Sequence, residues 1–133
     1  MIDPTNVPNV APDEWLARFV LYSRHVRTSD QTVKSDAFIP HPHQELSVTR
    51  HLSATDDEIW GVGEQVATQQ SRTLYGRADV EAQVFTSQSL NVQASPVLGN
   101  PNHADVAGWP TEKPRQKMIA IQIAAVATYR GRP

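Results

Sequence analysis

The stretch ELSVTRHLSATDDEIWGVGEQVA, residues 45–67, decides the fold class because two hydrophobic periodicities meet in it. In 45–51 apolar and polar residues alternate, which predicts a strand with one apolar face. Thr55 and Glu58 then have the spacing of a capping box, and apolar residues follow at helical spacing: Ile59, Val62 and Val66. A strand that leads directly into a capped helix predicts an α+β protein.

Upstream of this stretch, the sequence predicts an extended arm, a helix and a loop. Residues 1–12 hold three prolines and two asparagines, so we expect an arm that buries little and is dispensable for folding. Asp13 is a candidate N-cap for a helix over 13–27, in which aromatic residues recur at helical spacing: Trp15, Phe19 and Tyr22. The run RFVLYS within it also suits a buried strand. Residues 27–44 are polar and irregular and predict a loop.

Downstream, the sequence predicts a hairpin, a loop and a last helix. Residues 74–85 and 90–94 both alternate, and the turn-prone TSQS lies between them. Residues 95–110 predict a constrained loop. The favoured interpretation is that His103 hydrogen-bonds within this loop, and the alternative is that the loop presents His103 as a functional group. The last helix has a proline or threonine at its start and ends near the C-terminus: Thr111 or Pro114 to about Tyr129.

These elements together predict the architecture. We expect an α+β fold with a small antiparallel or mixed sheet of about three strands and two to three helices packed on one face. The domain organisation expected is an extended N-terminal arm, 1–12, followed by a single α+β domain, 13–133.

The composition argues against several functional classes. Twelve basic and fourteen acidic residues are interleaved along the chain, which makes nucleic acid an unlikely partner. The absence of cysteine excludes disulfides and thiolate chemistry and is compatible with a reducing compartment. The longest apolar run, residues 118–127, is shorter than the roughly 20 residues needed to span a bilayer, so no membrane association is expected. With no secretory signal visible, a cytoplasmic location is expected.

A metal site is one interpretation of the histidines in PHPH. His41 and His43 are two residues apart in an extended segment, so they could share an ion. Histidine or aspartate elsewhere could complete the site: His51, His103, Asp105 or Asp36. The spacing matches no known ligand signature, and an exposed loop is the alternative. We therefore expect no tightly bound transition metal and no cofactor, with a divalent metal only if the protein is an enzyme.

Two further features of 45–51 bear on chemistry. One side of the strand carries potential acyl-transfer groups: Glu45, Ser47, Thr49 and His51. Neighbours on one strand face are roughly 6 to 7 Å apart, so a solvated face is the favoured interpretation. Arg50 has the opposite parity and points towards the core, where we expect a carboxylate such as Asp79 or Asp105 to hold it. Alternatively, it emerges at the strand end or binds an anionic small ligand.

The favoured function is a small binding or accessory module that acts through protein–protein contacts and self-associates. It is based on the last helix, where only Gln122 is polar between Met118 and Ala127 and where a row of alanines would allow close packing: Ala120, Ala124 and Ala127. A central core helix is the alternative for that segment. The alternative function is a metal-dependent or His/Arg-based phosphoester hydrolase, with catalytic candidates His51, His103 and Arg50 and metal candidates His41 and His43.

Overall fold

A computed structural model describes residues 1–40 and 44–133. Within them the chain forms a set of strands: β1 (Trp15–Val20), β2 (Val26–Arg27), β3 (Thr32–Val33), β4 (Leu46–Arg50), β5 (Gly76–Glu81), β6 (Asn91–Ala94), β7 (His103–Ala107) and β8 (Thr128–Gly131). The α-helices are α1 (Asp56–Gln69), α2 (Ala82–Thr86) and α3 (Lys113–Val126). Short 3₁₀ helices cover Ser23–His25 and Ser35–Phe38.

The strands form one large sheet and one small sheet. The large sheet has six strands in the order β6–β7–β4–β1–β5–β8, and every neighbouring pair is antiparallel. Strands β2 and β3 form a separate two-stranded sheet. The prediction of an α+β fold agrees with this arrangement, whereas the prediction of about three strands is wrong.

The predicted helix over 13–27 is wrong, because its centre is strand β1. This strand lies between β4 and β5 in the middle of the sheet. Leu16 and Val20 are buried on one face of β1, while Phe19 packs against a second apolar cluster on the other. Strand β1 has apolar residues on both faces of the sheet, so it lacks the apolar–polar alternation of a half-exposed strand. The spacing of its aromatic residues also matches the period of a helix, which led to the wrong prediction.

The predicted hairpin is also wrong. Strand β5 ends at Glu81, the chain turns into α2, and β6 pairs with β7 rather than with β5. Strands β5 and β6 lie in opposite halves of the sheet. The predicted loop over 95–110 contains β7, and the predicted end of the last helix contains β8. Strand pairing over a long sequence separation depends on tertiary packing, and local alternation does not reveal it.

Helices cover both faces of the large sheet, so the prediction of helices on one face is wrong. On one face, apolar strand residues meet Ala120 and Ile123 of α3, Phe85 of α2 and Phe38 of a 3₁₀ helix. On the other, Trp60 and Ala67 of α1 pack near Phe19. A Cβ atom added at Gly63 would lie 2.8 Å from Phe19 Cε1, so this glycine allows α1 to approach β1 closely. We call the face of the sheet that α3 covers the α3 face, and the face that α1 covers the α1 face.

The predicted capping box at the start of α1 is confirmed. The Thr55 hydroxyl accepts from the Glu58 amide at 3.2 Å, and a Glu58 carboxylate oxygen accepts from the Thr55 amide at 2.9 Å. Both bonds involve residues three positions apart, which explains why the sequence alone identifies this helix.

Most of the N-terminal arm is exposed, but it is docked onto the domain at a few points, and its dispensability for folding stays a prediction. Ile2 is only 5% exposed, and its amide donates to the Asn102 side-chain oxygen at 2.8 Å. The terminal amine donates to the Ser53 carbonyl oxygen. The arm is held by hydrogen bonds from its own main-chain nitrogens and by the burial of the Ile2 side chain. Amino-acid composition predicts neither kind of contact.

Candidate functional site

A cluster of ionisable side chains lies on the α1 face. Its members come from β5, β8, the start of α1 and the residue that follows β4: Arg77, Asp79, Arg130, Asp56 and His51. Asp79 is at its centre. Its carboxylate accepts from Arg77 Nε at 3.1 Å and lies 3.0 Å from both Arg130 Nε and His51 Nε2. The Asp79 side chain is only 4% exposed, so these polar contacts replace the solvent that it has lost.

The sheet register explains how Asp79 gains room for these partners. Asp79 is opposite Ala17 on β1, and the small alanine side chain leaves space above the central strand. The start of α1 supplies Asp56, which accepts from Arg77 Nη2 at 2.7 Å. This hydrogen bond and the charge of Arg77 lower the pKa of Asp56. Arg77 also lies over the Trp60 ring, with its Cζ atom 4.8 Å from the ring centroid.

The pair of His51 and Asp79 has the geometry of an oriented imidazole. One ring nitrogen of His51 lies next to the carboxylate, and the side chain is 23% exposed, so the other nitrogen is the one available for proton transfer. Within the described residues, no side-chain hydroxyl hydrogen-bonds to His51. The arrangement therefore resembles that of a general base or acid, and the described residues place no hydroxyl nucleophile beside it. The sequence analysis proposed His51 as a candidate but did not identify Asp79 as its partner. In the alternation of β4 and β5, both residues are on the side of the α1 face.

Arg50 lies on the α3 face, apart from His51 and His103. It is fully buried, and its carboxylate partner is Glu14 rather than Asp79 or Asp105. The remaining guanidinium hydrogen bonds go to the carbonyl oxygens of Pro8 and Asn9 at 2.7 and 3.3 Å. Nε, Nη1 and Nη2 are thus all engaged by the protein, which leaves little for an anionic ligand.

His103 lies on β7, where it is opposite Thr49 in the sheet register. Its Nδ1 atom is 2.8 Å from the Ser95 carbonyl oxygen, and its Nε2 atom is 3.8 Å from an Asp105 carboxylate oxygen. The structure thus satisfies His103 locally. The metal candidates His41 and His43 lie outside the described residues, and residues 1–40 and 44–133 contain no group of three acidic or histidine side chains placed to share a metal ion.

A groove of about 660 Å³ crosses the α1 face beside β4. Its walls come from α1, the end of β1, β4, the loop that precedes β7 and the segments 22–25 and 36–39. The lining includes both apolar and polar side chains: Phe19, Val62, Val66, Ser47, Thr49 and His103. At the rim, Leu98 is fully exposed. The volume lies within the range of roughly 300 to 1,000 Å³ that is typical of ligand sites. Sequence reasoning missed this groove, because the packing of α1 across the sheet creates it.

Helix α3 presents large apolar side chains to solvent. Met118, Ile121 and Val126 are 67%, 46% and 59% exposed, while Ala120 and Ile123 on the opposite side are fully buried. The alanine row suggested as a close-packing surface instead faces the core, since Ala124 and Ala127 also pack against the main cluster. The exposed apolar stripe is therefore Met118, Ile121 and Val126.

Within the described residues, no helix has the length and apolarity needed to span a membrane. The comparisons with known proteins found no family model, no curated protein and no solved structure that matches this chain.

Proposed function

We propose that the chain is a protein-binding module that self-associates through the exposed face of α3. The observation that carries this proposal is the apolar stripe of Met118, Ile121 and Val126. Exposed apolar side chains grouped on one element are typical of interaction surfaces, whereas single ones are common on any protein. The buried side of the same helix belongs to the main core, so the stripe is presented on a rigid support.

The charges of α3 favour a second copy of the chain as the partner. The first half of the helix carries Lys113, Arg115 and Lys117, while its last turn has no basic residue. In an antiparallel pair of α3 helices, the cations of one copy would lie beside the negative C-terminal end of the other. A two-fold axis would make this complementarity occur twice.

Light scattering across a concentration series tests this proposal. We expect the mass of a dimer at high micromolar concentration and the mass of a monomer for Ile121→Glu. Leu98→Glu is the matched control, since Leu98 is also an exposed apolar residue but lies outside α3. A wild-type monomer at all concentrations, or a dimer that survives Ile121→Glu, would contradict the proposal.

A second candidate function is hydrolysis of phosphoesters, favoured by the contact of 3.0 Å between His51 Nε2 and Asp79. In this mechanism His51 would act as a general base, Asp79 would orient it, and Arg130 would attract the phosphate charge. Hydrolysis of para-nitrophenyl phosphate, with and without added divalent metal, tests it. Activity lost in His51→Ala but kept in His25→Ala would support this function, and absence of turnover under both conditions would contradict it.

A further inference from the structure

Two arginines pack on the ring of Tyr22, just after β1 ends. The Cζ atoms of Arg24 and Arg72 lie 4.5 and 4.2 Å from the ring centroid. Beside them is a depression of about 410 Å³, whose lining also includes Ser23, Ser71 and Thr73. We call Tyr22, Arg24, Arg72 and this depression the Tyr22 site.

The guanidinium groups of the Tyr22 site differ from most other arginines in the protein. Most others lie within 4 Å of a carboxylate oxygen: Arg50, Arg77, Arg115, Arg130 and Arg132. Across residues 1–40 and 44–133, Arg24 and Arg72 make no such contact and donate no side-chain hydrogen bond, and the lining of the depression contains no aspartate or glutamate. Their donors are therefore available to an external acceptor.

The surroundings of the Tyr22 site are also electropositive. Burial and the charge of Arg24 lower the pKa of the neighbouring His25, and Arg18 and Lys34 act in the same direction. Asp36 is the group that opposes them. In a chain with a net charge of −2, this concentration of cations is local.

The backbone holds Arg72 in place at the end of α1. Ser71 has a φ of 52°, and the Arg72 amide donates to the Ala67 carbonyl oxygen at 2.8 Å. This left-handed cap ends the helix and directs the chain back towards β5. Contact with the Tyr22 ring further restricts the two guanidinium groups, so less entropy is lost when they donate to a ligand.

We infer that the Tyr22 site binds the phosphate group of a small phosphomonoester. A guanidinium presents donors in a planar fork that matches two phosphate oxygens, and here two such forks are next to hydroxyl groups. Tyr75 lines the same depression and is 40% exposed, so its ring offers an apolar surface to the organic part of the ligand. This site is separate from the α3 stripe and does not depend on self-association.

Isothermal titration calorimetry with inorganic phosphate and with phenyl phosphate tests the inference. We expect both anions to bind, phenyl phosphate more tightly, and Arg24→Gln with Arg72→Gln to weaken both by about tenfold or more. Tyr75→Ala should weaken only phenyl phosphate. Arg27→Gln, at an arginine that is also exposed but does not line the depression, is the control and should bind as the wild type does.

Circular dichroism melts of each variant will verify that it is folded, which is expected because both arginine side chains are exposed. Absence of phosphate binding to the wild type, or equal binding by the double variant, would overturn the inference. So would an equal loss in Arg27→Gln. Binding of a single-stranded oligonucleotide without binding of phenyl phosphate would replace the small ligand with a nucleic acid.

Discussion

Arg50 and Glu14 form a two-pronged ion pair between residues that are thirty-six positions apart. Arg50 Nε lies 2.7 Å from Glu14 Oε1, and Arg50 Nη2 lies 2.8 Å from Glu14 Oε2. The arginine side chain is fully buried, and the glutamate side chain is 9% exposed. Because Glu14 precedes β1 and Arg50 ends β4, the pair joins two adjacent central strands at one end of the sheet.

Replacement of Arg50 should therefore destabilise the fold. Arg50→Met leaves Glu14 and the carbonyl oxygens of Pro8 and Asn9 without their donor, and we expect a loss of about 3 kcal/mol in the free energy of unfolding. Urea denaturation will measure it. Combining Arg50→Met with Glu14→Gln should recover part of the loss, since no buried charge is then left unpaired. A single variant as stable as the wild type would contradict the structural role of this pair.

Deletion of residues 2–10 should lower the melting temperature, in contrast to the expectation from composition. The deletion removes the buried Ile2 side chain and the two carbonyl acceptors of Arg50. We expect a decrease of about 5 °C or more, measured by differential scanning calorimetry. Thr5→Ala is the control, because among the described residues the Thr5 side chain bonds only to Asp3, within an exposed turn. A melting temperature equal to that of the full chain would show that docking of the arm adds little stability.

Two glycines of α1 provide a matched test of how closely α1 approaches β1. A Cβ atom at Gly63 would lie 2.8 Å from Phe19 and 2.9 Å from Leu74, whereas one at Gly61 would have no neighbour within 4 Å in the described part of the chain. Gly63→Ala should reduce the free energy of unfolding by about 1 to 3 kcal/mol. Gly61→Ala should increase it by about 0.5 to 1 kcal/mol, because alanine favours a helix. Equal effects in urea denaturation would contradict the packing of α1.

The contribution of Asp56 to stability should depend on pH. Its folded-state pKa is lowered by Arg77, so its contribution is present above the unfolded pKa, near 3.8, and is lost as the pH falls through the folded pKa. Asp56→Asn should therefore be less stable than the wild type at neutral pH, and the difference should shrink in acid. Urea denaturation from neutral to acidic pH will measure this difference. A difference between Asp56→Asn and the wild type that stays constant with pH would contradict the role of Arg77.

The amount that the sequence predicted depended on the range of each interaction. The capping box joins Thr55 to Glu58, and the alternation of β4 is visible within five residues, so both elements were predicted with nearly correct bounds. Pairing of β6 with β7, and of β5 with β8 on the opposite side, depends on packing between distant segments. The same limit applied to the candidate sites, because Asp79 was missed beside His51 and Arg72 beside Tyr22.

The sequence by itself determined the α+β class, the strand at 46–50, helix α1 and the inward direction of Arg50, because these follow from local periodicity and from the cost of exposing apolar surface. The tertiary structure alone decided that β1 is a strand, that Glu14 holds Arg50, and that Arg24 and Arg72 meet at Tyr22. Each of these depends on segments that are distant in sequence and are brought together when the whole chain buries its core. The free energy of folding that favours these arrangements comes from packing across the whole chain, so no short stretch of residues predicts them.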